Sequence, residues 1–314
     1  MSGRSRAPPA RRARSCNGGA SLRSETIGCI GLGVMGEPIC AHLLRKSGCP
    51  VAGFDLRPEP LARLSEAGLR AGGSVEDVGG EATVVLLSLP GGPELAAVGA
   101  GLLGAMRQGA VVVDLSTAPV DLTRELAARF AARGVAYADA PVARTRLAAE
   151  RGELSVMVGA DRETFARIEP LLRCFASDIL HCGGIGTGQV AKLLNNMVLF
   201  EIGGAVAEAL AIGRQSGIEP AVLLEALANG SADSFCLRHH GRAAMLPSAY
   251  PQRAFSARYA LKDLEYALAL AARAGIEAPG ARLARTRFLE AIAAGDGDRY
   301  WPVIAEQVGR EGSR

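Results

Sequence analysis

TIGCIGLGVMGEP, residues 26–38, joins a short apolar run to glycines at Gly31, Gly33 and Gly36 and then to the start of a helical pattern. Glycines at G-x-G-x-x-G spacing between a strand and a helix have a mechanical reading. Gly31 permits the tight turn, Gly33 lets the backbone approach a pyrophosphate, and Gly36 lets helix and strand pack closely. Free N–H groups and the dipole at the helix start then favour an anion. The stretch predicts a dinucleotide site lined by Gly31, Leu32, Gly33, Val34, Met35 and Gly36; the competing reading is a glycine-rich structural turn.

Outward from this turn, apolar runs alternate with helical stretches. Residues 51–55 (VAGFD) read as a second strand, 61–67 as a helix, and 82–90 (ATVVLLSLP) and 110–117 (AVVVDLST) as apolar strands covered on both faces. A helix at 121–133 and strands at 137–142 and 154–160 follow. This alternation implies an α/β fold with a doubly wound, Rossmann-type sheet. Asp55 closes the second strand, where an acid accepts hydrogen bonds from a ribose 2′-OH and repels a 2′-phosphate, favouring NAD over NADP. Arg57 works against that preference, and Asp55 has a second reading as the cap of the turn before Pro58. Leu56, Leu89 and Pro90 are expected beside the same ligand.

After Gly188 the strand-breaking signals vanish. Residues 189–213 are mostly apolar, and helical patterns follow at 219–229, 257–273 and 279–293. An all-α second half is therefore joined to the first by one helix of about 25 residues, about 38 Å long. The expected divisions are a tail at 1–24, an NAD-binding domain at 25–186 and a helical domain at 187–314.

The joining helix bears Lys192, in VAKLLNNMVLF. Of 35 basic residues only Lys46, Lys192 and Lys262 are lysine, so arginine serves wherever a bare charge suffices. A guanidinium stays charged, whereas an ammonium can give up its proton and act as a general acid or base. Lys192, Asn195 and Asn196 share one helix face at i, i+3 and i+4. Either this face is a polar site in a buried helix, or Lys192 carries its head out to solvent.

The chain has 314 residues, 49% hydrophobic and 21% charged, and no uninterrupted apolar run long enough to cross a bilayer. A cytoplasmic protein of one or two domains, with no membrane partner, is expected. The formal charge is +3, yet residues 1–24 carry six arginines and no acid; without them 29 basic residues face 32 acidic ones, a net of −3. The basic balance belongs to the tail, so no nucleic-acid partner is expected. That tail, with Pro8 and Pro9 and few large apolar side chains, is expected to be disordered; a transit peptide and a start further downstream stay open. Seven cysteines without CxxC spacing read as free thiols. His181, His239 and His240 lack partners at metal-ligand spacing and read as surface or packing residues, so no metal site is expected. Trp301 is expected to pack the C-terminal segment onto the helices or a neighbouring subunit.

GLGVMGEP at 31–38, DLST at 114–117, DAPV at 139–142, GTGQVAKLLNN at 186–196 and LKDL at 261–264 together resemble the β-hydroxyacid dehydrogenases, the group of 3-hydroxyisobutyrate dehydrogenase and tartronate semialdehyde reductase. The resemblance implies a Rossmann domain, a long interdomain helix, and a helical domain that takes substrate and mediates a homodimer or homotetramer. It also implies hydride transfer between NAD(P) and a short hydroxy acid. Carried over by position, Lys192 would be the catalytic acid/base, Asn196 and Asn195 would orient substrate, Thr117 would lie by nicotinamide and substrate, and Lys262 would contact the cofactor.

One segment departs from the family. Many members read DxPVSGG, and this chain has Ala143, Arg144 and Thr145 after DAPV. An arginine there offers a full charge and a planar set of donors, and the segment resembles that of sulfolactaldehyde reductase, whose arginine holds a sulfonate. Ala143, Arg144 and Thr145 are thus expected to bind a small-molecule anionic substrate, sulfonate or carboxylate; Arg144 also reads as a solvated loop arginine beside Arg146. Imine reductases share this architecture, but Lys192 with its paired asparagines counts against that reading, and Lys192, Asn196 and Thr117 together count against an NAD-binding protein without turnover.

Overall fold

The computed structural model describes residues 25–252 and 254–308; the expected tail at 1–24 lies outside them. The first part of the chain alternates strand and helix. It runs β1 (Ile27–Ile30), α1 (Gly36–Lys46), β2 (Val51–Phe54), α2 (Pro58–Ser65), β3 (Arg70–Ala71), α3 (Val75–Glu81), β4 (Val84–Leu87), α4 (Gly92–Ala105), β5 (Val111–Asp114) and α5 (Val120–Ala131). There follow β6 (Ala136–Asp139), β7 (Val142–Ala143), α6 (Arg146–Arg151), β8 (Leu154–Gly159), α7 (Arg162–Leu172) and β9 (Ala176–Gly183). The remainder is helical: α8 (Thr187–Gln215), α9 (Pro220–Asn229), a π-helix at Cys236–Met245, α10 (Ala257–Arg273), α11 (Pro279–Ala293) and a 3₁₀ segment at Trp301–Gln307.

Strands β3, β2, β1, β4, β5 and β6 lie side by side in that order, all parallel. Strand order reverses between β1 and β4, which opens a crevice at their carboxyl ends. Every residue of β1, β4 and β5 is buried, because helices cover both faces of the sheet. One core gathers Ile27, Leu43, Val84, Val113 and Phe175, and the other Ile30, Val85, Leu102, Val112 and Phe130.

The run 137–142 was expected as one strand and is two. β6 stops at Asp139, whose carboxylate turns to bind the start of α8. Pro141 has no N–H for a ladder, and β7 begins after it. The edge is mixed: β8 runs antiparallel to β6 and β7 and parallel to β9.

α8 is 29 residues long, about 43 Å. With a mean hydropathy of 1.4 over its most apolar 18 residues it is long and apolar enough to cross a membrane by length and composition alone, although Lys192, Glu201 and Glu208 interrupt its apolar run. Here its faces pack on β8, α10, α11 and the π-helix. The helical core centres on Trp301, fully buried and edge-on to Phe200 at 5.3 Å, as expected for the C-terminal segment. A smaller apolar seam of Val120, Leu193 and Ala267, with Val190 and Tyr266 against it, joins α5 to α8 and α10 beside Lys192.

Candidate active site

The turn after β1 is built as its glycines require. Gly31 has φ +85°, a conformation that strains any residue with a Cβ. A Cβ at Gly36 would fall on the Gly31 carbonyl oxygen. Gly33 differs, since a Cβ there would meet only the Arg57 guanidinium at 3.9 Å. The protein itself does not need glycine at 33; the bare backbone leaves a cradle at the start of α1 that one methyl would enter. Residues present thus fit a dinucleotide pyrophosphate.

Asp55, following β2, closes this turn. Its Oδ2 accepts the Leu32 N–H at 2.7 Å and its Oδ1 the Arg57 N–H at 2.8 Å, and the Arg57 guanidinium pairs with it at 3.1 Å. Burial pushes the carboxyl upward, but the Arg57 and backbone bonds together hold it below its ordinary value. Leu56 is 91% exposed beside it. On the other side of the crevice, the Leu89 N–H donates to Ser116 Oγ at 3.0 Å, tying the end of β4, with Pro90, to the DLST turn after β5.

The first turn of α8 is bolted onto the sheet's carboxyl edge. Asp139, fully buried, accepts the N–H groups of Gly186 at 2.7 Å and Gln189 at 2.8 Å. Gln189 Nε2 donates to the Ser116 carbonyl at 2.8 Å, and its Oε1 accepts the Ala118 N–H at 3.2 Å. Lys192 follows one turn later. Withdrawal from water lowers its pKa from the ordinary lysine value; Asp263 pulls it back up and Lys262 pushes it down again.

α10 completes the cluster. Lys262 Nζ donates to the Thr117 carbonyl at 3.1 Å and lies 2.9 Å from Asp263 Oδ1, over the Tyr266 ring. Asp263 is 2% exposed, and its Oδ2 accepts from Asn196 Nδ2 at 2.8 Å. Its Oδ1 is buried and ion-paired with Lys262 without hydrogen-bond alignment, and the carboxylate's charge acts on Lys192 as well. Asn195 Nδ2 donates to Asn196 Oδ1 at 3.1 Å.

Two family models cover almost all of the described chain: the NAD binding domain of 6-phosphogluconate dehydrogenase over residues 26–184, and the NAD-binding of NADP-dependent 3-hydroxyisobutyrate dehydrogenase over residues 186–301. The chain belongs to the β-hydroxyacid dehydrogenase family. It is an oxidoreductase of the NAD(P)-dependent kind that acts on CH–OH groups. Among its relatives, the 3-hydroxyisobutyrate dehydrogenase of Pseudomonas aeruginosa is 36% identical over 82% of this chain and 89% of that protein. The 2-(hydroxymethyl)glutarate dehydrogenase of Eubacterium barkeri is 34% identical over 68% and 72% respectively. The solved 3-hydroxyisobutyrate dehydrogenase of Mycobacterium tuberculosis, with L-serine, superposes with a TM-score of 0.84 at 29% identity, over 91% of this chain and 99% of that one.

Within this family frame, the structure gathers Lys192, Asn195, Asn196, Lys262 and Thr117 around Asp263; Ala143 ends β7, and Arg144 and Thr145 lead into α6. Arg144 was expected to hold the substrate anion, with a solvated loop arginine as the other reading; in the structure its guanidinium is engaged by protein groups. Its φ is +87°, and its guanidinium reaches across β8 to the Glu153 carbonyl at 2.5 Å, Ser177 Oγ at 2.8 Å and the Asp178 carboxylate at 2.6 Å. Thr145 caps α6 by accepting the Ala148 N–H. His240 is buried against Tyr300 and Trp301, and His181 bonds the Ala160 carbonyl. Asp263, Gln189 and Asp139 were not singled out from sequence. Each lies inside a quoted motif, and Asp263 adjoins one of the three lysines, the one signal that pointed toward it.

Proposed function

We propose that the protein transfers a hydride reversibly between NAD(H) and a short β-hydroxy acid or its semialdehyde, with Lys192 moving the proton. The observation that carries this reading is the convergence of Lys192, Asn196, Asp263, Lys262 and the Thr117 carbonyl at the carboxyl edge of the sheet, the edge that also bears the Gly31 turn. A bound nicotinamide would supply or accept the hydride.

The protein's part is charge and proton. In reduction, negative charge develops on the carbonyl oxygen, and the Lys192 ammonium stabilises it and donates a proton. In oxidation the neutral amine removes the hydroxyl proton, and withdrawal of Lys192 from water makes that form easier to reach. Asp263 draws Lys192 the other way, so both protonation states lie within reach. Asn196, anchored by Asp263, and its neighbour Asn195 orient the substrate. Lys262 holds the Thr117 carbonyl and would keep that loop beside a bound nicotinamide, and Ala143 and Thr145 would flank the substrate. Asp55 supports NAD over NADP, because a carboxylate held ionised repels a 2′-phosphate.

The pairing of Arg144 with Asp178 favours a carboxylate substrate of the 3-hydroxyisobutyrate or tartronate semialdehyde kind. A sulfonate such as sulfolactaldehyde would have to displace Asp178 from Arg144. Steady-state reduction of tartronate semialdehyde and sulfolactaldehyde with NADH and NADPH, by wild type, Arg144→Ala and Lys192→Arg, tests the assignment. NADH and the carboxylate should be preferred, Arg144→Ala should leave that rate nearly intact, and Lys192→Arg should lose about 10²–10⁴-fold. A sulfolactaldehyde preference that vanishes in Arg144→Ala overturns the carboxylate assignment. A near-normal rate in Lys192→Arg overturns the mechanism.

A further inference from the structure

Thr117 is held through its backbone from two directions. Gln189 spans its flanks, donating to the Ser116 carbonyl and accepting the Ala118 N–H, while Lys262 takes the Thr117 carbonyl itself. Gln189 is fully buried and stands three residues before Lys192 on α8. A carboxamide offers one donor end and one acceptor end, and both ends are engaged here by the peptides on either side of Thr117. The same residue's backbone is pinned by Asp139. At Gly188 a Cβ would fall on the Met157 carbonyl oxygen and lie 2.8 Å from the Asp139 carbonyl oxygen. The first turn of α8 therefore has one seating on the sheet.

We propose that Gln189 is a positioning residue: it fixes the separation between the Lys192 amine and the Thr117 loop, and so between the proton-moving group and the hydride-bearing ring. The proposal rests on the roles given above to Lys192 and Thr117. It assigns to a buried glutamine a part in the register of the reaction rather than in the packing of the helix alone.

Two substitutions separate these roles. Gln189→Met keeps length and bulk but removes both side-chain hydrogen bonds. Gln189→Glu keeps an acceptor for the Ala118 N–H but sets a carboxylate oxygen against the Ser116 carbonyl; once protonated, its O–H donates there and restores both bonds. The ionisable groups linked to this position are Asp139 at its N–H, Lys192 three residues on along its helix, Lys262 on the Thr117 carbonyl with Asp263 beside it, and Asp114, which accepts the Ser116 N–H at 2.9 Å and the Tyr137 hydroxyl at 3.2 Å. All are common to wild type and variants, so the difference between pH profiles isolates residue 189.

In aldehyde reduction by NADH, Gln189→Met should lower kcat by about 10²-fold, the loss associated with misplacement by about 1 Å. Its dissociation constant for NADH should stay unchanged, and the isotope effect with 4-deuterated NADH should grow as hydride transfer becomes rate-limiting. Gln189→Glu should be slow at neutral pH and recover toward wild type as the pH falls, a protonation step absent from the wild-type profile. A wild-type kcat in Gln189→Met, or a profile for Gln189→Glu that parallels wild type, overturns the proposal. If circular dichroism shows Gln189→Met to be unfolded, the Gln189→Glu profile decides, since it compares one protein with itself. Lys192→Arg run alongside keeps the two readings apart. Activity there overturns the role of Lys192; an inactive Lys192→Arg beside a full-speed Gln189→Met overturns only the positioning by Gln189.

Discussion

Gly33→Ala places a single methyl where the polypeptide has room for it and a dinucleotide does not. Gly33 is outside the left-handed region, and the nearest atom to an added Cβ, apart from its own chain neighbours, is the Arg57 guanidinium at 3.9 Å. A glycine-to-alanine change at a compatible position stabilises the fold by about 0.4–1 kcal/mol by restricting the unfolded chain. The unfolding midpoint without ligand should therefore hold or rise. A methyl forced into a close-packed contact costs about 1–3 kcal/mol, which weakens dinucleotide binding by about 5- to 150-fold. Gly36→Ala serves as the contrast. Its Cβ would fall on the Gly31 carbonyl oxygen and 3.2 Å from Ser88 Cβ, with backbone that has nowhere to go, so it should lose stability as well as binding. Fluorescence titration with NADH and thermal unfolding of the ligand-free proteins read both quantities. Unimpaired NADH binding by Gly33→Ala would refute the cradle, and a stability loss as large as that of Gly36→Ala would refute the claim that the space is free.

Asp263→Asn removes the charge that raises the Lys192 pKa while leaving an amide beside Asn196. The neutral amine then forms at lower pH, and the acid limb of kcat/KM for alcohol oxidation should move to lower pH; a shift upward contradicts the assignment. Burial pushes Asp114 to about 7, outweighing its bonds from Ser116 and Tyr137. A raised acid binds its proton more tightly in the folded state, so its contribution to stability is present below the unfolded value of 3.8 and is lost as the pH rises through about 7. Urea unfolding of wild type should lose up to a few kcal/mol over that window relative to Asp114→Asn, and a constant difference would contradict it. Gly203→Ala sets a Cβ 2.6 Å from the Trp301 ring and should lower stability by about 1–3 kcal/mol, seen as a fall in the thermal midpoint; an unchanged midpoint would show that the Trp301 core can shift.

What was legible in the sequence was whatever has a local period or a local steric demand. The buried runs of β1, β4 and β5 and the helices α9, α10 and α11 repeat over a few residues, the π-helix at Cys236–Met245 does not, and the Gly31 turn needs its glycines within one loop. The hydrogen bonds that assemble the site have no such signature. Gln189 meets its partners 71 and 73 positions away, and Asp263 meets Asn196 at 67. Arg144 shows that a charge can be read from sequence while its partners cannot. Its chemistry was visible, but Asp178 belongs to β9, an edge strand whose mix of exposed and half-buried residues gave no clear run. The scarcity of lysine is the instructive middle case. Lys192 and Lys262 share one electrostatic cluster with Asp263. Lys46, equally rare, donates to the Cys174 carbonyl at 2.8 Å, linking the end of α1 to the turn after α7. A compact ammonium is useful both where a proton must move and where one buried carbonyl must be capped, so rarity selects positions that need an ammonium, and only the neighbouring charges tell the two needs apart.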